Sequence, residues 1–397
     1  MLTVEKIKDA QAVLKNAIYR TDIIRADKIS SEYELYLKAE NLQKTGSFKI
    51  RGAYYKISRL SPAERKKGVI ACSAGNHAQG VALAAAKNGI PSLICLPEGA
   101  PISKVEATKA YGAEICLVPG VYDDAYKRAL QLKEEHGYAF IHPFDDEDVI
   151  AGQGTVGLEI LEQLKGVEAI VVPVGGGGLI AGVAYAVKAL RPDVLVYGVQ
   201  AAGAASMLNS LRDGRVEALP SVSTIADGIA VKQPGVHTFD YCKKYVNGIV
   251  TVTDEEIARA ILALLEQEKM VSEGAGATPV AAILAGKLPE LKGKKVCCLV
   301  SGGNIDVTIL SRVIDRGLLM SGRKCTLNIE LHDKPGQLLT AIRIIAACGA
   351  NILDVHHEHA KGSDVIGCYV RIDMETRDFE HIEEIKKQIK DAGLHLS

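Results

Sequence analysis

A single lysine stands in a setting that suits covalent chemistry. Lys49 lies between Phe48 and Ile50, in a segment that runs from Glu40 to Ala53. Lysine side chains are usually solvated at the surface, and that interpretation applies to Lys49 taken alone. A polar-to-apolar junction can instead hold the amine near an apolar site, where the ordinary lysine pKa of about 10.4 falls. A lysine that loses its proton there can form a Schiff base with a carbonyl compound.

A second segment, from Ser73 to Gly80, follows a predicted strand and leads into a predicted helix. The first turn of a helix presents unpaired backbone N–H groups, which can bind a carboxylate. Ser73, Asn76 and His77 add side-chain donors at the same place. A glycine-bearing helix cap without any ligand explains the pattern equally well, so both interpretations stay open at this point.

Four consecutive glycines, Gly175 to Gly178, separate the predicted strand Ala169 to Val174 from the predicted helix Ile180 to Leu190. Without side chains at this corner, backbone amides can approach a phosphate at the positive end of the helix. The spacing matches neither the dinucleotide fingerprint nor the P-loop, and a structural glycine turn is the alternative. Ser301 to Asn304 follow another strand end, the usual ligand side of a parallel sheet. Together with the lysine, this indicates pyridoxal phosphate, a carbonyl cofactor with one phosphate.

Short apolar runs alternate with helical patterns from residue 35 to about 315, which predicts an α/β fold with largely parallel sheets. Capping-box sequences begin at Ser61 and Thr253. After a short junction at 319–324, the order β-α-β-β-α-β predicts a ferredoxin-like arrangement. We therefore predict a catalytic domain over 1–318 with a smaller nested subdomain at approximately 50–148, a linker over 319–324 and a second domain over 325–397. The strands predicted for the first domain are Leu35 to Lys38, Gly68 to Ser73, Ser92 to Leu96, Glu114 to Val118, Ala169 to Val174, Leu195 to Val199 and Val296 to Val300.

The composition narrows the class of function. The chain has 397 residues, a formal net charge of -1, 5% aromatic residues and no Trp. This balance provides no general attraction to nucleic acid or to an anionic membrane, so we expect a small-molecule partner. The nine cysteines form no C-x-x-C pair and no long apolar run indicates a membrane span, so we expect a cytoplasmic protein.

These motifs together resemble the threonine dehydratases (threonine ammonia-lyases), which are fold type II (β-family) pyridoxal-phosphate enzymes with two parallel-sheet α/β subdomains. The resemblance covers residues 1 to about 315 and rests on Ser47 to Ala53, Ser73 to Gly80, the four glycines and Ser301 to Asn304. It implies that Lys49 is the catalytic residue and that Ser73, Asn76 and His77 receive the substrate carboxylate. It further implies that the cofactor lies beside Phe48, with Asn76 at its ring hydroxyl and Ser301 at its ring nitrogen. The implied cofactor-binding residues are Phe48, Lys49, Asn76, Gly175, Gly176, Gly177, Gly178, Leu179 and Ser301.

The resemblance implies a reaction in which L-threonine yields 2-oxobutanoate and ammonia, with some activity on L-serine. A serine dehydratase or a related β-eliminating lyase is the nearest alternative, because one methyl group contributes only about 1–3 kcal/mol of discrimination. A non-catalytic amino-acid sensor is the alternative from a different class. Serine racemases of this family carry a serine at the position of Ala74, which argues against racemisation. Gln200 and Ser206 stand where the racemases have carboxylate ligands, so a metal stays unknown.

The tail from about residue 325 resembles an ACT domain, a small module that binds amino acids in regulated metabolic enzymes. The resemblance rests on Asp333 to Leu338 and implies an allosteric amino-acid site, with isoleucine or valine as the first candidates. A structural or dimerising module is the alternative, and the family suggests a homotetramer or a dimer. Whether the role is isoleucine biosynthesis or catabolism stays open. The implied effector residues are Asp333, Gly336, Gln337, Leu338 and Asn351.

The run from His356 to His359 invites a metal interpretation. Alternation along a strand places His357 and His359 on one face, and His356 with Glu358 on the other. Two ligands on one face do not complete a metal site. The run by itself therefore predicts polar residues at a strand or subunit surface.

Overall fold

Mainly parallel sheets with helices packed on them form the N-terminal part of the chain in the computed structural model, which describes residues 1–359 and 367–396. Contacts divide the chain into a first unit, Met1–Asp306, and a second unit, Val307–Ser397. The strands are β1 (Ile23–Arg25), β2 (Glu34–Ala39), β3 (Val69–Cys72), β4 (Ser92–Pro97), β5 (Glu114–Val118), β6 (Ala139–Phe140), β7 (Ala169–Pro173), β8 (Leu195–Ala201), β9 (Gly248–Val252), β10 (Lys295–Val300), β11 (Lys324–His332), β12 (Asn351–His359), β13 (Gly367–Glu375) and β14 (His395–Leu396). The α-helices are α1 (Val4–Leu14), α2 (Lys49–Ser58), α3 (Pro62–Lys67), α4 (Asn76–Lys87), α5 (Ile102–Ala110), α6 (Tyr122–His136), α7 (Glu147–Gln163), α8 (Gly178–Leu190), α9 (Ser206–Asp213), α10 (Val236–Tyr245), α11 (Asp254–Glu268), α12 (Gly274–Leu284), α13 (Val307–Met320), α14 (Gln337–Ala347) and α15 (Phe379–Asp391).

The first unit contains two sheets. The larger has the strand order β1-β2-β10-β7-β8-β9, and every neighbouring pair in it is parallel except β1 with β2. The smaller sheet, β5-β4-β3-β6, is parallel throughout. Its strands all fall between Val69 and Phe140, inside the segment predicted as a nested subdomain. Two parallel sheets in one α/β unit confirm the predicted fold class of this part of the chain.

The predicted strands of this unit are all present, with bounds within two residues of those expected. Central strands are easy to predict because they are buried on both faces; all five residues of β7, for example, are buried. The capping boxes at Ser61 and Thr253 are also confirmed. The sequence missed β1, β6 and β9, which all lie at sheet edges. These strands are short or half-buried, so they carry no continuous apolar run.

A cluster of four buried charges joins helix α2 to strand β2 and helix α7. The Arg51 guanidinium donates to Glu40 at 2.7 and 2.8 Å, and to Glu159 at 2.7 and 2.9 Å. Lys38 Nζ donates to the same Glu159 carboxylate at 2.6 Å. Burial alone would lower the pKa of Arg51 and raise that of Glu40, but the contact between them reverses both shifts. Two positive and two negative groups cancel, so the cluster fixes the three elements without a net buried charge.

Helices α2, α7 and α8 pack with their backbones in direct contact. A Cβ atom at Gly152 in α7 would lie 2.6 Å from the carbonyl oxygen of Arg51 in α2. A Cβ atom at Gly182 in α8 would lie 2.3 Å from the carbonyl oxygen of Ile150 in α7. Only glycine permits so close an approach. The three helices therefore form one support for Lys49, which begins α2, and for the four glycines, which lead into α8.

The second unit has one antiparallel sheet with the order β12-β13-β11-β14. Along β11 the residues alternate between the interior and the solvent, as in a strand that is covered on one face. The inward residues pack with helices α14 and α15 into a separate core. The order β11-α14-β12-β13-α15-β14 confirms the ferredoxin-like arrangement. Residues 360–366, between β12 and β13, lie outside the described part of the chain.

The division between the units precedes the predicted linker. The sequence placed a short junction at 319–324, whereas the contacts place the division between Asp306 and Val307. Helix α13 follows that division, and an ion pair of 2.9 Å between Asp315 of this helix and Lys324 fastens it to β11. Helix α13 therefore belongs to the second unit, and the segment 319–324 contains only the end of α13, a turn and the first residue of β11.

Candidate active site

A cavity of about 960 Å³ opens in the first unit at the carboxyl ends of strands β3, β7 and β10. Ligands of open α/β sheets bind at such strand ends. Its walls include Ser73 to His77 after β3, Gly175 to Leu179 after β7, and Ser301 after β10. Phe48 and Lys49, at the start of α2, face the same space. The structure therefore brings together every residue that the sequence predicted to bind cofactor or substrate.

Lys49 has the properties of a reactive amine. Its Nζ donates to the carbonyl oxygen of Pro143 at 2.9 Å and lies 5.3 Å from the centre of the Phe48 ring. Burial lowers the pKa of Lys49 to about 8, although the negative charge of Glu273 acts in the opposite direction. About a tenth of the amine is therefore unprotonated at pH 7. A neutral amine can act as a nucleophile or as a base.

The four glycines form the turn between β7 and α8. Gly177 has a φ angle of 98°, a left-handed conformation that L side chains rarely adopt. A Cβ atom at Gly176 would lie 2.4 Å from the Phe144 ring, so a side chain there is excluded. Thr238 Oγ1 donates to the Gly176 carbonyl oxygen at 2.6 Å and holds the turn in place. The result is a helix start that offers backbone N–H groups to an anion with no side chain in front of it.

Asn76 begins helix α4 and is held by two side chains. Its Nδ2 donates to both carboxylate oxygens of Glu273, at 2.8 and 2.9 Å, and its Oδ1 accepts from Asn304 at 2.7 Å. Ser73 Oγ accepts from the N–H of Gly75 at 3.1 Å, which shapes the turn before the helix. The start of α4 thus presents donors into the cavity from a fixed position, as a carboxylate site requires.

The imidazole of His77 makes its polar contact with the protein backbone. It is buried, and its Nε2 lies 2.8 Å from the carbonyl oxygen of Ile141. Burial lowers the pKa of His77 to about 3, so the ring stays neutral at physiological pH. The prediction that the His77 side chain receives a carboxylate therefore lacks support in this geometry. Its backbone N–H, in the first turn of α4, remains a suitable donor.

Ser301 follows β10 at the cavity wall and is 2% exposed. Its carbonyl oxygen accepts from the N–H of Phe48 at 3.1 Å, and Gly303 donates to the carbonyl oxygen of Gly46 at 2.9 Å. These backbone hydrogen bonds join the segment after β10 to the segment that carries Lys49. The Ser301 hydroxyl and the Lys49 amine therefore have fixed relative positions in one cavity.

Glu273 and Asp227 are among the acidic residues that line the cavity, and neither received a role from the sequence. Glu273 is 4% exposed, and burial raises the pKa of its carboxyl group to about 7, although the Asn76 hydrogen bond acts against that shift. Asp227 forms an ion pair with Lys104 at the cavity wall. The contact between Glu273 and Asn76 joins residues 197 positions apart in the chain.

The resemblance implies carboxylate ligands in the racemases at two positions, which in this chain are Gln200 and Ser206; the Ser206 hydroxyl is buried without a hydrogen-bond partner. Gln200 is buried, with its Oε1 accepting from the N–H of Leu208 at 2.8 Å and its Nε2 donating to Ala204 at 3.2 Å. Both ends of the Gln200 side-chain amide are therefore hydrogen-bonded to the backbone. Ala74, by contrast, lines the cavity and offers no hydroxyl group.

The predicted effector residues fall in two places of the second unit. Asp333 follows β11, Gly336 has a φ angle of 94°, and Gln337 with Leu338 begins helix α14. Asn351 instead begins β12. Strands β11 and β12 run in the same direction, because both are antiparallel to β13, so Asn351 lies at the opposite end of the sheet from Asp333. One chain thus brings the first four residues together and leaves Asn351 apart.

A family model described as pyridoxal-phosphate dependent enzyme matches residues 14–302. The chain belongs to this family. A relative, the L-threonine ammonia-lyase of Thermotoga maritima, is 53% identical over 399 residues, which span 100% of this chain and 99% of that protein. The solved processed form of threonine deaminase isoform 2 from Solanum lycopersicum has 39% identity and a TM-score of 0.76 over 79% of this chain and 92% of that one. Maize serine racemase has 36% identity and a TM-score of 0.75 over 80% of this chain and 98% of that one.

Family membership confirms the enzyme class, the fold type and the cofactor that the sequence predicted, and the residues present fit pyridoxal phosphate. Lys49 supplies an amine with a depressed pKa for its aldehyde group. At the turn before α8, Phe144 and the backbone exclude side chains, which suits a bound phosphate. Among the described residues, no helix is both long enough and apolar enough to cross a membrane.

Proposed function

We propose that the protein is an L-threonine ammonia-lyase, which converts L-threonine into 2-oxobutanoate and ammonia. One observation carries the proposal: a buried amine with a lowered pKa shares a cavity with a glycine-lined helix start, in a chain that an L-threonine ammonia-lyase matches from end to end. The water expelled in the elimination is consumed in the final hydrolysis. The balance is therefore one threonine to one 2-oxobutanoate and one ammonia.

Lys49 performs the proton transfer in this proposal. Pyridoxal phosphate, when bound, withdraws electron density from the α-carbon of the substrate and so acidifies its proton. The Lys49 amine takes that proton as a general base, for which a pKa of about 8 is well matched to a neutral cell. The carbonyl oxygen of Pro143, 2.9 Å away, orients the amine between transfers.

The remaining residues of the cavity hold the reactants. We assign the cofactor phosphate to the backbone of Gly175 to Gly178 and to Leu179, since the start of α8 carries partial positive charge. Ser73, Asn76 and the first N–H groups of α4, including that of His77, hold the substrate carboxylate. Phe48 lies beside the cofactor ring, and Asn76 also serves the ring hydroxyl. Ser301 would face the ring nitrogen with a neutral hydroxyl, a setting that would favour loss of the β-hydroxyl group of the substrate.

A serine dehydratase is the second candidate, because a serine side chain differs from threonine by one methyl group and fits the same cavity. Racemisation is disfavoured: Ala74 lines the cavity where racemases of the family place a serine, so the opposite face of the α-carbon lacks that acid. The ratio of kcat/KM for L-threonine and L-serine, measured on one preparation, separates the two dehydratase activities.

The second unit is proposed to regulate the first. Its ferredoxin-like fold is the fold of amino-acid-binding modules, and we assign a binding site for isoleucine or valine to Asp333, Gly336, Gln337 and Leu338. Asn351 joins that site only if a second copy supplies it, which agrees with a homodimer or homotetramer. Initial rates across a panel of amino acids, with light scattering for the copy number, test this part; identical rates throughout would contradict it.

We also propose that the enzyme acts in the cytoplasm. All nine cysteines are free thiols, as expected of a protein from a reducing compartment. Fractionation of cells that express the chain, followed by detection with an antibody, tests the location directly. Recovery of the protein outside the cytoplasmic fraction would contradict it.

The visible spectrum of the purified protein tests the main proposal. A yellow protein should change its spectrum on addition of L-threonine and recover it as 2-oxobutanoate accumulates. Lys49→Ala, assayed beside it, should release no oxo acid. A protein that stays colourless and inert after pyridoxal phosphate is supplied would overturn the proposal.

A further inference from the structure

Three metal-ligating side chains from separate parts of the second unit meet at one edge of its sheet. Asp333 comes from the turn after β11, His357 from β12 and Cys368 from β13. A carboxylate oxygen, an imidazole nitrogen and the sulfur all lie within 4.8 Å of one another. These residues belong to the second unit and have no part in the reaction proposed for the first.

The strand register explains why they converge. His357 lies directly opposite Val370, and Leu331 lies directly opposite Cys368. Paired residues project to the same face of a sheet, as do residues two positions apart, so His357 and Cys368 share the face of Val370. Asp333 follows β11 just beyond Leu331 and reaches the same place from the turn. The fold therefore places two further potential metal ligands, Asp333 and Cys368, beside His357, whose own strand does not provide a complete ligand set.

The neighbouring histidine has a different environment. His356 lies opposite Arg371, on the other face of the sheet, and its Nε2 lies 2.9 Å from Asp354. The two adjacent histidines thus lie on opposite faces of the sheet. His357 lies near a thiol and a carboxylate, whereas His356 lies near the Asp354 carboxylate. This difference provides a matched control in the same strand.

The donor set selects the ion. Thiolate sulfur, imidazole nitrogen and carboxylate oxygen are the three ligand types of Zn²⁺, which holds them at about 2.0–2.3 Å. In a tetrahedral site with such bonds, the ligand atoms are about 3.3–3.8 Å apart. A group already within 4.8 Å must therefore contract by about 1 Å, which side-chain rotations can supply. Calcium and magnesium prefer oxygen ligands and do not suit a cysteine.

We propose that Asp333, His357 and Cys368 bind one Zn²⁺ ion per chain, with water in the fourth position. Asp333 and His357 are exposed, so the ion can reach the site from solvent, while Cys368 is 3% exposed and anchors it to the core. The bound ion would tie the turn before α14 to two strands of the sheet. It would thereby fix the turn to which we assign the amino-acid effector.

Zinc content of the full-length holoenzyme tests the proposal. Protein freed of metal with a chelator is incubated with zinc chloride and desalted, and its zinc is measured by elemental analysis and by competition with a chromophoric chelator. We expect one zinc per chain in the wild type. His357→Asn should weaken binding by at least about 100-fold, because it removes a direct ligand and outer-shell changes already cost about 10–100-fold. Co²⁺ should give a thiolate charge-transfer band that Cys368→Ser abolishes.

The control variants are His356→Asn, on the opposite face of β12, and Cys348→Ser, which removes a half-buried thiol after helix α14. Both should bind zinc as the wild type does. Unchanged binding in His357→Asn, or absence of zinc from the wild type, would overturn the proposal. Because Cys368 is buried and its variant can fail to fold, the exposed His357 provides the deciding comparison.

Discussion

Lys49 and Arg51 lie two residues apart in helix α2, yet the protein treats their positive charges in opposite ways. Lys49 faces a cavity in which burial lowers its pKa to about 8, and its nearest hydrogen-bond partner is a neutral carbonyl group. Arg51 lies behind it, with both Glu40 and Glu159 in direct contact, and its pKa is raised. The first environment favours loss of a proton, and the second favours retention of a charge.

The difference shows how one helix turn can serve both chemistry and architecture. A guanidinium cannot be deprotonated in a protein, so Arg51 suits a permanent ionic joint between elements. A lysine amine changes its pKa readily on burial, so Lys49 suits a reaction that needs the free base. An arginine at position 49 could not supply the free base, and position 51 needs a permanent positive charge. The following variants test both roles.

The largest effect is expected for Lys49→Ala. Loss of the general base should lower kcat for L-threonine by about 10⁴-fold. The free energy of unfolding should change little, since the amine donates to the neutral carbonyl group of Pro143. Lys49→Arg should be equally inactive because its side chain keeps its proton. Steady-state kinetics and urea unfolding on the same preparations check both statements. Turnover by Lys49→Arg near the wild-type rate would show that a free base is not required.

Arg51→Met should mainly destabilise the protein. It leaves Glu40 buried without its cationic partner and Glu159 with Lys38 alone, which typically costs about 3–5 kcal/mol. Urea unfolding followed by circular dichroism measures this loss. The matched control is Arg59→Ala at the end of the same helix, an exposed residue whose ion pair with Asp9 contributes about 0–1 kcal/mol. Equal losses from the two variants would contradict the role of the buried cluster.

The rate at which the cofactor-free protein takes up pyridoxal phosphate should depend on the protonation of Lys49. With a pKa of about 8, half of the amine is free at that pH. Two pH units lower, only about 1% is free, so the rate should fall by about 50-fold. Stopped-flow absorbance measures it, with a simple alkylamine as the reference for changes in the cofactor itself. A rate that still rises in proportion to hydroxide up to about pH 10 would indicate an ordinary lysine.

The smallest effect is expected for Glu273→Gln. The Glu273 carboxylate raises the pKa of Lys49 against the effect of burial, so its removal should move the midpoint of that pH profile downward. The neutral amide also holds Asn76 less firmly, which should raise KM for L-threonine a few-fold. An upward shift of the midpoint would contradict the assigned influence of Glu273. Glu268→Gln, on helix α11, is the control and should leave the midpoint unchanged.

The sequence predicted those parts of the site that are local in the chain. Lys49, Asn76, the four glycines and Ser301 each follow or begin an element whose own residues define it, and the parallel sheets bring such positions together. The fold class followed from the same rhythm of buried strands. The strands that the sequence did not predict are the edge strands β1, β6 and β9, because their residues carry no continuous apolar signal.

Contacts between distant segments could not be predicted. Arg51 meets Glu159 across 108 residues, and nothing in either segment indicates the other. The hydrogen bond between His77 and the Ile141 carbonyl oxygen, which removes the imidazole from substrate binding, likewise joins distant segments. Cys368 and Asp333 reach His357 only through the strand register. A single sequence shows which side chains could bind a ligand, whereas tertiary packing decides which of them already form contacts inside the protein.

The glycine contacts between α2, α7 and α8 have a consequence for how such an enzyme can change over generations. With backbone pressed on backbone at Gly152 and Gly182, no rotamer lies between the helix that carries the amine and the helix that receives the phosphate. Any side chain at Gly152 or Gly182 would force these helices apart, and exchanges elsewhere do not act at these contacts. Descendants of this chain inherit the reactive geometry with the main chain itself, and new substrate preferences must arise on the other walls of the cavity, such as the loop at 227–236.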